Sequence, residues 1–322
     1  MFGAYRLFLA LLVALSHIGI RIKSINPGII AVVGFYLLSG YLMTGLIRTH
    51  YSIINKVWDF YYDRALRLFP HYLIVAGITF VWFMFTGTHT DNLRMEPRVF
   101  NIISNLIIIP QNYYLFNGAD HFALVPPAWS LGTEIQFYLL LPFLLLFNVR
   151  MAAFILSLFV YLFAIFGLID LNYFGFRLLP GVLFIFLLGS YLFDMHHQQH
   201  AGKSLVYPVM VLVAIVAAIL LCLNKISLPY NIETLLGLIS GFFVINALGS
   251  HPRHPLDEAI GNLSYGVFLN HMFVKWVFFG DVIGGVRNII AYIIVSFCIS
   301  VTMYNTVEKP ILHLRRKLRA SY

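Results

Sequence analysis

The sequence predicts an all-α integral membrane protein with about ten transmembrane helices. Three observations lead to this prediction. Hydrophobic residues make up 60% of the chain, which is more than a water-soluble domain of this size can bury. Charged residues make up only 11%, against about 25% in an ordinary soluble domain. The mean hydropathy is +0.85, so lipid must be the solvent for most of the chain.

Eleven apolar segments are candidates for membrane spans, and they lie at 5–20, 28–47, 70–87, 99–116, 128–148, 151–169, 178–193, 205–223, 232–249, 261–279 and 284–305. The segment 99–116 is the weakest because asparagine, serine, proline and glutamine interrupt it. If this segment is re-entrant or lies along the outer surface, ten spans remain and 88–127 becomes a structured region on the outer face. Both termini then lie in the cytoplasm with most of the basic residues, including the tail of Lys309, Arg315, Arg316, Lys317 and Arg319.

The distribution of charge narrows the possible partners. The formal net charge is +8, but arginine and lysine are dispersed between the apolar segments. This pattern is typical of the positive-inside rule and not of a nucleic-acid-binding surface, so we expect a lipid bilayer and no nucleic acid. The histidine and cysteine pattern predicts no metal site. Residues 1–322 form a single predicted membrane domain without an appended soluble domain.

The first apolar segment carries two residues that are costly to place in a bilayer, Arg6 and His17. They are eleven residues apart, so both project from one helix face, about 16 Å apart along the axis. A snorkelling arginine and a hydrogen-bonded core histidine are the plain alternative. The shared face favours a functional pair, in which the histidine acts as a general base on a hydroxyl or carries an acyl group itself.

Two arginines lie one helical turn apart ahead of the third apolar segment. Arg64 and Arg67 belong to the stretch 63–70, which we expect on the cytoplasmic side. Two guanidinium groups in this arrangement can bind phosphates through paired hydrogen bonds. Ordinary positive-inside anchoring is the alternative, and taken alone this pattern favours anchoring.

A polar stripe runs along the segment 128–148. Ser130, Glu134 and Tyr138 follow one another at four-residue spacing on an otherwise apolar helix. An intramembrane carboxylate must be protonated or must find a cation, which His17 or an arginine would supply. A purely structural role explains Glu134 less well than any other single residue.

Six motifs that include these residues follow one another along the chain. They are Arg6-x10-His17, Phe35-Tyr36-x-x-Ser39-Gly40-Tyr41, Arg64-x-x-Arg67-x-x-Pro70, Trp129-Ser130-Leu131-x-x-Glu134-x-x-Phe137-Tyr138, Ser264-Tyr265-x-x-Phe268-Leu269-x-His271 and Glu308-Lys309-Pro310. Together they resemble the acyltransferase 3 family of membrane O-acyltransferases, from the first segment to the tail. The chain departs from the family pattern where Val32 and Val33 replace an acidic residue.

The resemblance implies transfer of an acetyl or short acyl group from cytoplasmic acyl-CoA, with acetyl-CoA as donor, to a hydroxyl of a surface polysaccharide or lipid-linked glycan. It also implies a multi-pass protein of a bacterial plasma (inner) membrane, and a homo-oligomer stays open. His17 and Glu134 are then the expected catalytic residues. The CoA phosphates are expected at Arg6, Arg64 and Arg67. The other expected substrate or cavity-lining residues are Ser39, Gly40, Trp129, Ser130, Tyr138, Tyr265 and His271.

A transporter or flippase for a lipid-linked glycan is the alternative from another class. It would use the intramembrane histidine, glutamate and arginine as a substrate or proton path. The sequence shows no inverted repeats, and paired arginines next to an apolar segment suit CoA better. A structural or receptor protein does not explain the polar stripe. Thioester transfer or hydrolysis by the purified protein, without any gradient, distinguishes the enzyme from the transporter.

Overall fold

The computed structural model describes residues 2–197, 203–223, 225, 228–252, 254–280 and 283–320. Within these ranges the chain is helical almost throughout, and its extended pairings are isolated bridges in loops. The prediction of an all-α protein is therefore confirmed. The long helices follow the apolar segments because a backbone surrounded by lipid must satisfy its hydrogen bonds internally.

The longer helices in the described residues are α1 (Gly3–His17), α2 (Pro27–His50), α3 (Val57–Thr86), α4 (Val99–Ile107), α5 (Ala128–Leu146), α6 (Arg150–Ile165), α7 (Leu179–His197), α8 (Lys203–Cys222), α9 (Asn231–Gly249), α10 (Pro255–Val274), α11 (Val286–Met303) and α12 (Lys309–Ala320). Short π-helical turns follow two of them, at Lys275–Phe279 after α10 and at Tyr304–Glu308 after α11. Single helical turns occupy parts of the loops.

Six helical stretches are long and apolar enough to cross a membrane, as expected for a multi-pass membrane protein. In the described residues they are Pro27–His50, Ile54–Thr86, Ala128–Leu146, Leu171–His197, Asn231–Gly249 and Val286–Arg315. Shorter apolar helices occur at Gly3–His17, Arg150–Ile165 and Tyr207–Cys222. The count of ten spans and the cytoplasmic position of both termini stay predictions.

The weakest apolar segment forms only the short helix α4. It has nine residues and a length of about 14 Å, too short to cross a membrane. Its polar residues are buried, while large apolar side chains on its other face are exposed. The buried Asn105 donates to the carbonyl of Phe122 over 2.8 Å and accepts from the N–H of Leu124 over 2.9 Å. Polar groups inside and apolar groups outside suit a helix that lies in the membrane interface.

The third long helix begins earlier than the sequence indicates. The stretch 63–70 lies inside α3, which continues through Pro70 for 30 residues, about 45 Å. Pro70 removes one backbone hydrogen bond, the one to the carbonyl of Leu66. The hydroxyl of Tyr265 donates to the carbonyl of Leu68 over 2.8 Å and ties this part of α3 to α10. Because α3 is longer than the hydrocarbon core of about 30 Å, part of it extends beyond the core.

Helices α1 and α10 lie side by side in parallel and are joined at both ends. The carboxylate of Asp257 accepts from the N–H groups of Gly3 and Ala4, at 2.8 and 2.9 Å, and so caps the N-terminus of α1. The backbones touch there, since a Cβ on Gly3 would lie 1.6 Å from the carbonyl oxygen of Asp257. At the opposite end His17 contacts His271. The two contacts together fix the position of α1 against α10.

Helices α2 and α7 also run in parallel and cross closely. A Cβ on Gly40 would lie 1.8 Å from the carbonyl oxygen of Phe186, and one on Gly189 would lie 1.9 Å from that of Leu37. Small residues of this kind let two membrane helices bring their backbones together. The structure therefore places Gly40 in a helix crossing, although the sequence indicated a cavity wall.

We expect Gly40→Ala to destabilise the protein and Gly77→Ala to leave its stability unchanged or slightly higher. Both glycines lie inside long helices, but a Cβ on Gly77 would meet nothing within 4 Å. Alanine is also the better helix former, by about 1 kcal/mol. The measurement is the thermal unfolding temperature of the purified variants in detergent. Equal unfolding temperatures for the two variants would contradict the close crossing of α2 and α7.

Candidate active site

A cavity of about 130 Å³ lies where α1 ends and α5 begins. It is lined by Val13, Ser16, His17, Asn26, Gly28, Ile29, Val32, Pro127, Trp129, Ser130, Phe176, Arg177, Tyr230 and Phe268. Three of these, His17, Trp129 and Ser130, are site residues expected from the sequence. The cavity therefore brings together the motif of the first helix and the motif at the start of α5.

His17 is the last residue of α1, and its imidazole contacts that of His271 on α10. Nδ1 of His17 lies 3.2 Å from Nε2 of His271 and 3.0 Å from the carbonyl oxygen of Val13. Nδ1 of His271 lies 3.2 Å from the carbonyl oxygen of Val267. Carbonyl oxygens only accept hydrogen bonds, so each Nδ1 carries a proton and donates it. Nε2 of His271 then accepts from His17.

In the neutral imidazole of His17, which lines the cavity, these contacts place the proton on Nδ1 and leave the lone pair on Nε2. His271 is fully buried, so its ring orientation is set by the packing around it. The ammonium group of Lys275 donates to the main-chain carbonyl of His17 over 3.2 Å. Both the side chain and the backbone of His17 are therefore held by α10 and the turn that follows it. A neutral imidazole with a fixed tautomer is suited to accept a proton.

A second polar cluster joins α2 to α5. The hydroxyls of Ser39 and Tyr138 both donate to Oε1 of Glu134, that of Ser39 over 2.7 Å. The two hydroxyl oxygens approach each other at 3.5 Å. In the part of the chain that the structure describes, no hydrogen bond joins Glu134 to His17. The carboxylate is thus satisfied by hydroxyl donors, whereas the sequence indicated a histidine or an arginine.

Arg64 and Arg67 form ion pairs within the protein. Arg64 pairs with Asp63, which also accepts from Nε of Arg315 over 3.0 Å. Arg67 pairs with Glu308. Three arginines thus cluster around two direct carboxylate partners, with Glu134 as a third carboxylate in the adjoining cluster. Clustered guanidinium groups of this kind can bind phosphate through paired hydrogen bonds.

The two polar clusters adjoin each other, and Arg6 lies apart from them. The guanidinium of Arg67 lies 5.0 Å from the ring centroid of Tyr265, and Tyr265 is within electrostatic reach of Glu134. Arg6 lies in the first turns of α1, near Asp257 and far along the helix from His17. The structure therefore groups half of the expected site residues into one adjoining polar set, namely Ser39, Glu134, Tyr138, Tyr265, Arg64 and Arg67.

Sequence reasoning missed His71, which is buried on α3 beside these pairs. It is 1% exposed, and its Nδ1 donates to Oε1 of Glu308 over 2.7 Å. Its Nε2 has no hydrogen-bond partner among the described residues. The spacing of Arg64, Arg67 and His71, at three and four residues, places all three on one helix face and was the available signal.

Two arginines that look like ordinary basic flanks are also part of the interior. Arg315 belongs to the predicted basic tail, yet it is 6% exposed and pairs with Asp63. The side chains of Arg316, Lys317 and Arg319 lie outside the described residues. Arg177, directly before an apolar segment, lines the cavity. The sequence carries no signal that separates either residue from a membrane-flanking arginine.

The site is thus a cavity lined by a histidine in a multi-pass helical membrane protein. Residues 4–305 match the model of the acyltransferase 3 family, which is described as an acyltransferase domain. The chain belongs to this family, as the resemblance of its six motifs predicted. No solved structure matches the chain.

Several curated proteins are similar to the chain. An uncharacterized protein of Aquifex aeolicus (strain VF5) is 36% identical over 203 residues, which are 61% of this chain and 89% of that protein. The O-acetyltransferase OatA of Staphylococcus aureus (strain NCTC 8325 / PS 47) is 32% identical over 164 residues, which are 45% of this chain and 27% of OatA. A putative O-acetyltransferase of Staphylococcus aureus (strain COL) is 29% identical over 147 residues, 41% of this chain and 23% of that protein. The chain thus spans about a quarter of these O-acetyltransferases, and the similarity supports a membrane O-acyltransferase.

We expect Glu308→Gln to lower the thermal stability far more than Glu96→Gln. Glu308 is 5% exposed and balances Arg67 and His71, whereas Glu96 is exposed. Leaving a buried charge without its partner costs about 3–5 kcal/mol. The measurement is the unfolding temperature of both variants in detergent. Adding Arg67→Met to Glu308→Gln should restore part of the lost stability, and the absence of any recovery would show that the pair is not the cause.

Proposed function

We propose that this protein is an O-acyltransferase that moves an acetyl or short acyl group from cytoplasmic acyl-CoA to a hydroxyl of a surface polysaccharide or lipid-linked glycan. The observation that carries the proposal is His17, a histidine of fixed tautomer at a cavity, in a chain of the acyltransferase 3 family. The similarity to O-acetyltransferases favours acetyl as the transferred group and acetyl-CoA as the donor. A bacterial plasma (inner) membrane is the proposed location.

His17 is the proposed general base. Its Nε2 takes the proton of the acceptor hydroxyl while the hydroxyl oxygen bonds to the carbonyl carbon of the thioester. The carbon–sulfur bond then breaks, and the proton passes from His17 to the CoA thiolate, so that the products are the ester and CoA. As His17 becomes charged, its Nδ1–H donates to Nε2 of His271, which stabilises the imidazolium in the orientation that it already has.

The donor phosphates are proposed to bind near Arg64 and Arg67. These arginines and Arg315 cluster around two direct carboxylate partners, and clustered guanidinium groups favour an anionic ligand. Arg6 is a proposed further contact for the phosphates. It lies near the N-terminus of α1, where Asp257 caps the helix, and His17 lies at the opposite end. The thioester must then extend along α1 toward His17, over about 16 Å.

Glu134 is proposed to orient the acceptor hydroxyl. Its described hydrogen bonds come from Ser39 and Tyr138, so it does not act on His17 directly. Ser130 lies one turn before Glu134 on the same face of α5 and lines the cavity. The polar stripe therefore leads from the cavity to the arginine pairs.

A ten-span topology with both termini in the cytoplasm is part of the proposal. Its support lies in the directions of helices that contact each other. Helices α1 and α10 run in the same direction, and so do α2 and α7. Two membrane helices can be parallel only if the chain crosses the membrane an even number of times from one to the other. Both pairs meet this condition when α4 does not span. Donor binding near one end of α1 and the cavity at the other end would then deliver the acyl group outward without moving CoA.

The central test is acyl-CoA binding and turnover by the purified protein in detergent. We expect wild type to consume acetyl-CoA, His17→Gln to bind it normally but to turn over about 10²–10⁴-fold more slowly, and Arg64→Gln to bind it more weakly. Isothermal titration measures binding, and release of free thiol measures turnover.

His251→Gln is the matched control for the histidine variant. His251 also bonds to a main-chain carbonyl four residues earlier, over 2.9 Å, but it is exposed and does not line the cavity. Its activity should equal that of wild type. If wild type neither binds nor consumes any acyl-CoA, the enzyme proposal fails and the transporter takes its place.

We also expect His271→Phe to lower kcat about 10–100-fold, as the loss of a group that orients a functional histidine does, while the affinity for acetyl-CoA stays unchanged. Phenylalanine keeps a ring but cannot accept the proton of Nδ1 of His17. His271→Gln should recover part of the activity, because its side-chain oxygen can accept that hydrogen bond. The measurement is the separate determination of kcat and KM. Equal losses for both variants would show that His271 only fills space.

A further inference from the structure

The cavity that contains His17 also contains an arginine without an ion pair. Arg177 lines the cavity, and in the described part of the chain no carboxylate oxygen lies within ion-pairing distance of it. Charged groups in a membrane protein are normally compensated. Five other arginines follow that rule, namely Arg48, Arg64, Arg67, Arg150 and Arg315.

The guanidinium of Arg177 is only partly satisfied by the protein. Its Nη1 donates to the main-chain carbonyl of Asn172 over 3.3 Å and to the side-chain oxygen of the same residue. Its Nε is buried and has no hydrogen-bond partner among the described residues. A buried N–H without an acceptor is unfavourable and calls for an explanation. At the wall of a cavity, an anionic ligand is the direct explanation.

Aromatic rings hold this guanidinium in a fixed position. The ring centroids of Phe176, Trp129 and Tyr114 lie 4.5, 5.3 and 5.3 Å from its central carbon. The main-chain carbonyl of Arg177 accepts from the hydroxyl of Thr133 over 2.8 Å, so the backbone is fixed as well. Ring faces stabilise a cation without neutralising it. The positive charge is therefore already in place before a ligand binds.

Among the described residues, the acidic residues in this region form no ion pair with Arg177. Glu233 accepts from the main-chain N–H of Asn26 over 3.0 Å, and Asp170 caps a helical turn through the N–H of Asn172 at 2.7 Å. None of the described residues that line the cavity is acidic. The cavity therefore offers a positive charge and a proton acceptor, His17, but no negative charge.

We propose that Arg177 binds an anionic group of the acceptor while His17 takes the proton from a hydroxyl of the same molecule. This rests on the proposed acyl transfer and adds the class of acceptor, a hydroxyl compound that carries a carboxylate or a phosphate. The guanidinium presents paired N–H donors that match either anion. A carboxylate would come from an acidic sugar of the glycan, and a phosphate from a sugar phosphate or a lipid carrier.

The test uses acceptor pairs that differ only in the anionic group. Methyl β-D-glucuronide is compared with methyl β-D-glucoside, and glucose 6-phosphate with glucose, each with acetyl-CoA and the full-length protein in detergent. We expect wild type to prefer one charged acceptor over its neutral partner about 10- to 100-fold in kcat/KM. The pair that shows the preference identifies carboxylate or phosphate. Arg177→Gln should abolish the preference by raising KM for the charged acceptor, and Arg177→Lys should keep part of it.

Arg21→Gln is the matched control, since Arg21 is an exposed arginine beyond the same end of α1 that does not line the cavity. It should leave the preference unchanged. Binding is measured separately as the rise in unfolding temperature with glucuronate or glucose 6-phosphate relative to glucose, which Arg177→Gln should remove. If wild type shows neither a preference in kcat/KM nor such a rise in unfolding temperature, the anion site is overturned. An equal loss of kcat/KM for charged and neutral acceptors in Arg177→Gln also overturns it. Failure to consume acetyl-CoA, with the anion-dependent rise intact, refutes the transfer reaction and leaves the anion site standing.

Discussion

A charge within a lipid-solvated protein must be compensated by the protein itself, and most helix contacts described above serve this requirement. Asp194 on α7 accepts from Arg48 on α2 and from Arg150 on α6, at 2.7 and 2.8 Å. Asp63 on α3 binds Arg315 on α12, and Glu308 joins the end of α11 to α3. Three of these four ion pairs connect helices that are distant in sequence, and the fourth, Arg150 with Asp194, joins the consecutive helices α6 and α7. Since hydrophobic association is weak between helices in lipid, these polar links and close glycine contacts specify which helices adjoin.

The candidate chemistry is located where this compensation is incomplete. One hydrogen bond joins Nδ1 of His17 to Nε2 of His271. Of the two ring nitrogens of His17, Nε2 therefore keeps a lone pair for a substrate. Arg64, Arg67 and Arg315 share two direct carboxylate partners, Asp63 and Glu308. Fully satisfied groups such as Asp257 at the cap of α1 are structural.

The sequence predicted the helices and the shared face of Arg6 and His17, because both depend on periodicity within one segment. It identified the stripe at Glu134 for the same reason. It did not predict the contact of His17 with His271, which depends on α1 and α10 adjoining across more than 200 residues of chain. Buried arginines were missed too, since Arg315 has the same local sequence context as a solvent-exposed basic tail. The helix α3 continues through Pro70, against the local preference of proline to end a helix, and the sequence did not predict this.

The length of α1 has a consequence for the membrane itself. Its 15 residues extend about 22 Å, roughly 8 Å less than the hydrocarbon core of a typical bilayer. Exposed Arg21 and Lys23 follow closely after the helix ends, and both need contact with headgroups or water. Hydrophobic mismatch of this kind is relieved by thinning of the surrounding lipid. In the proposed topology, where α1 crosses the bilayer, we expect thinner lipid beside it, which would shorten the low-dielectric path between a donor on one side and an acceptor on the other.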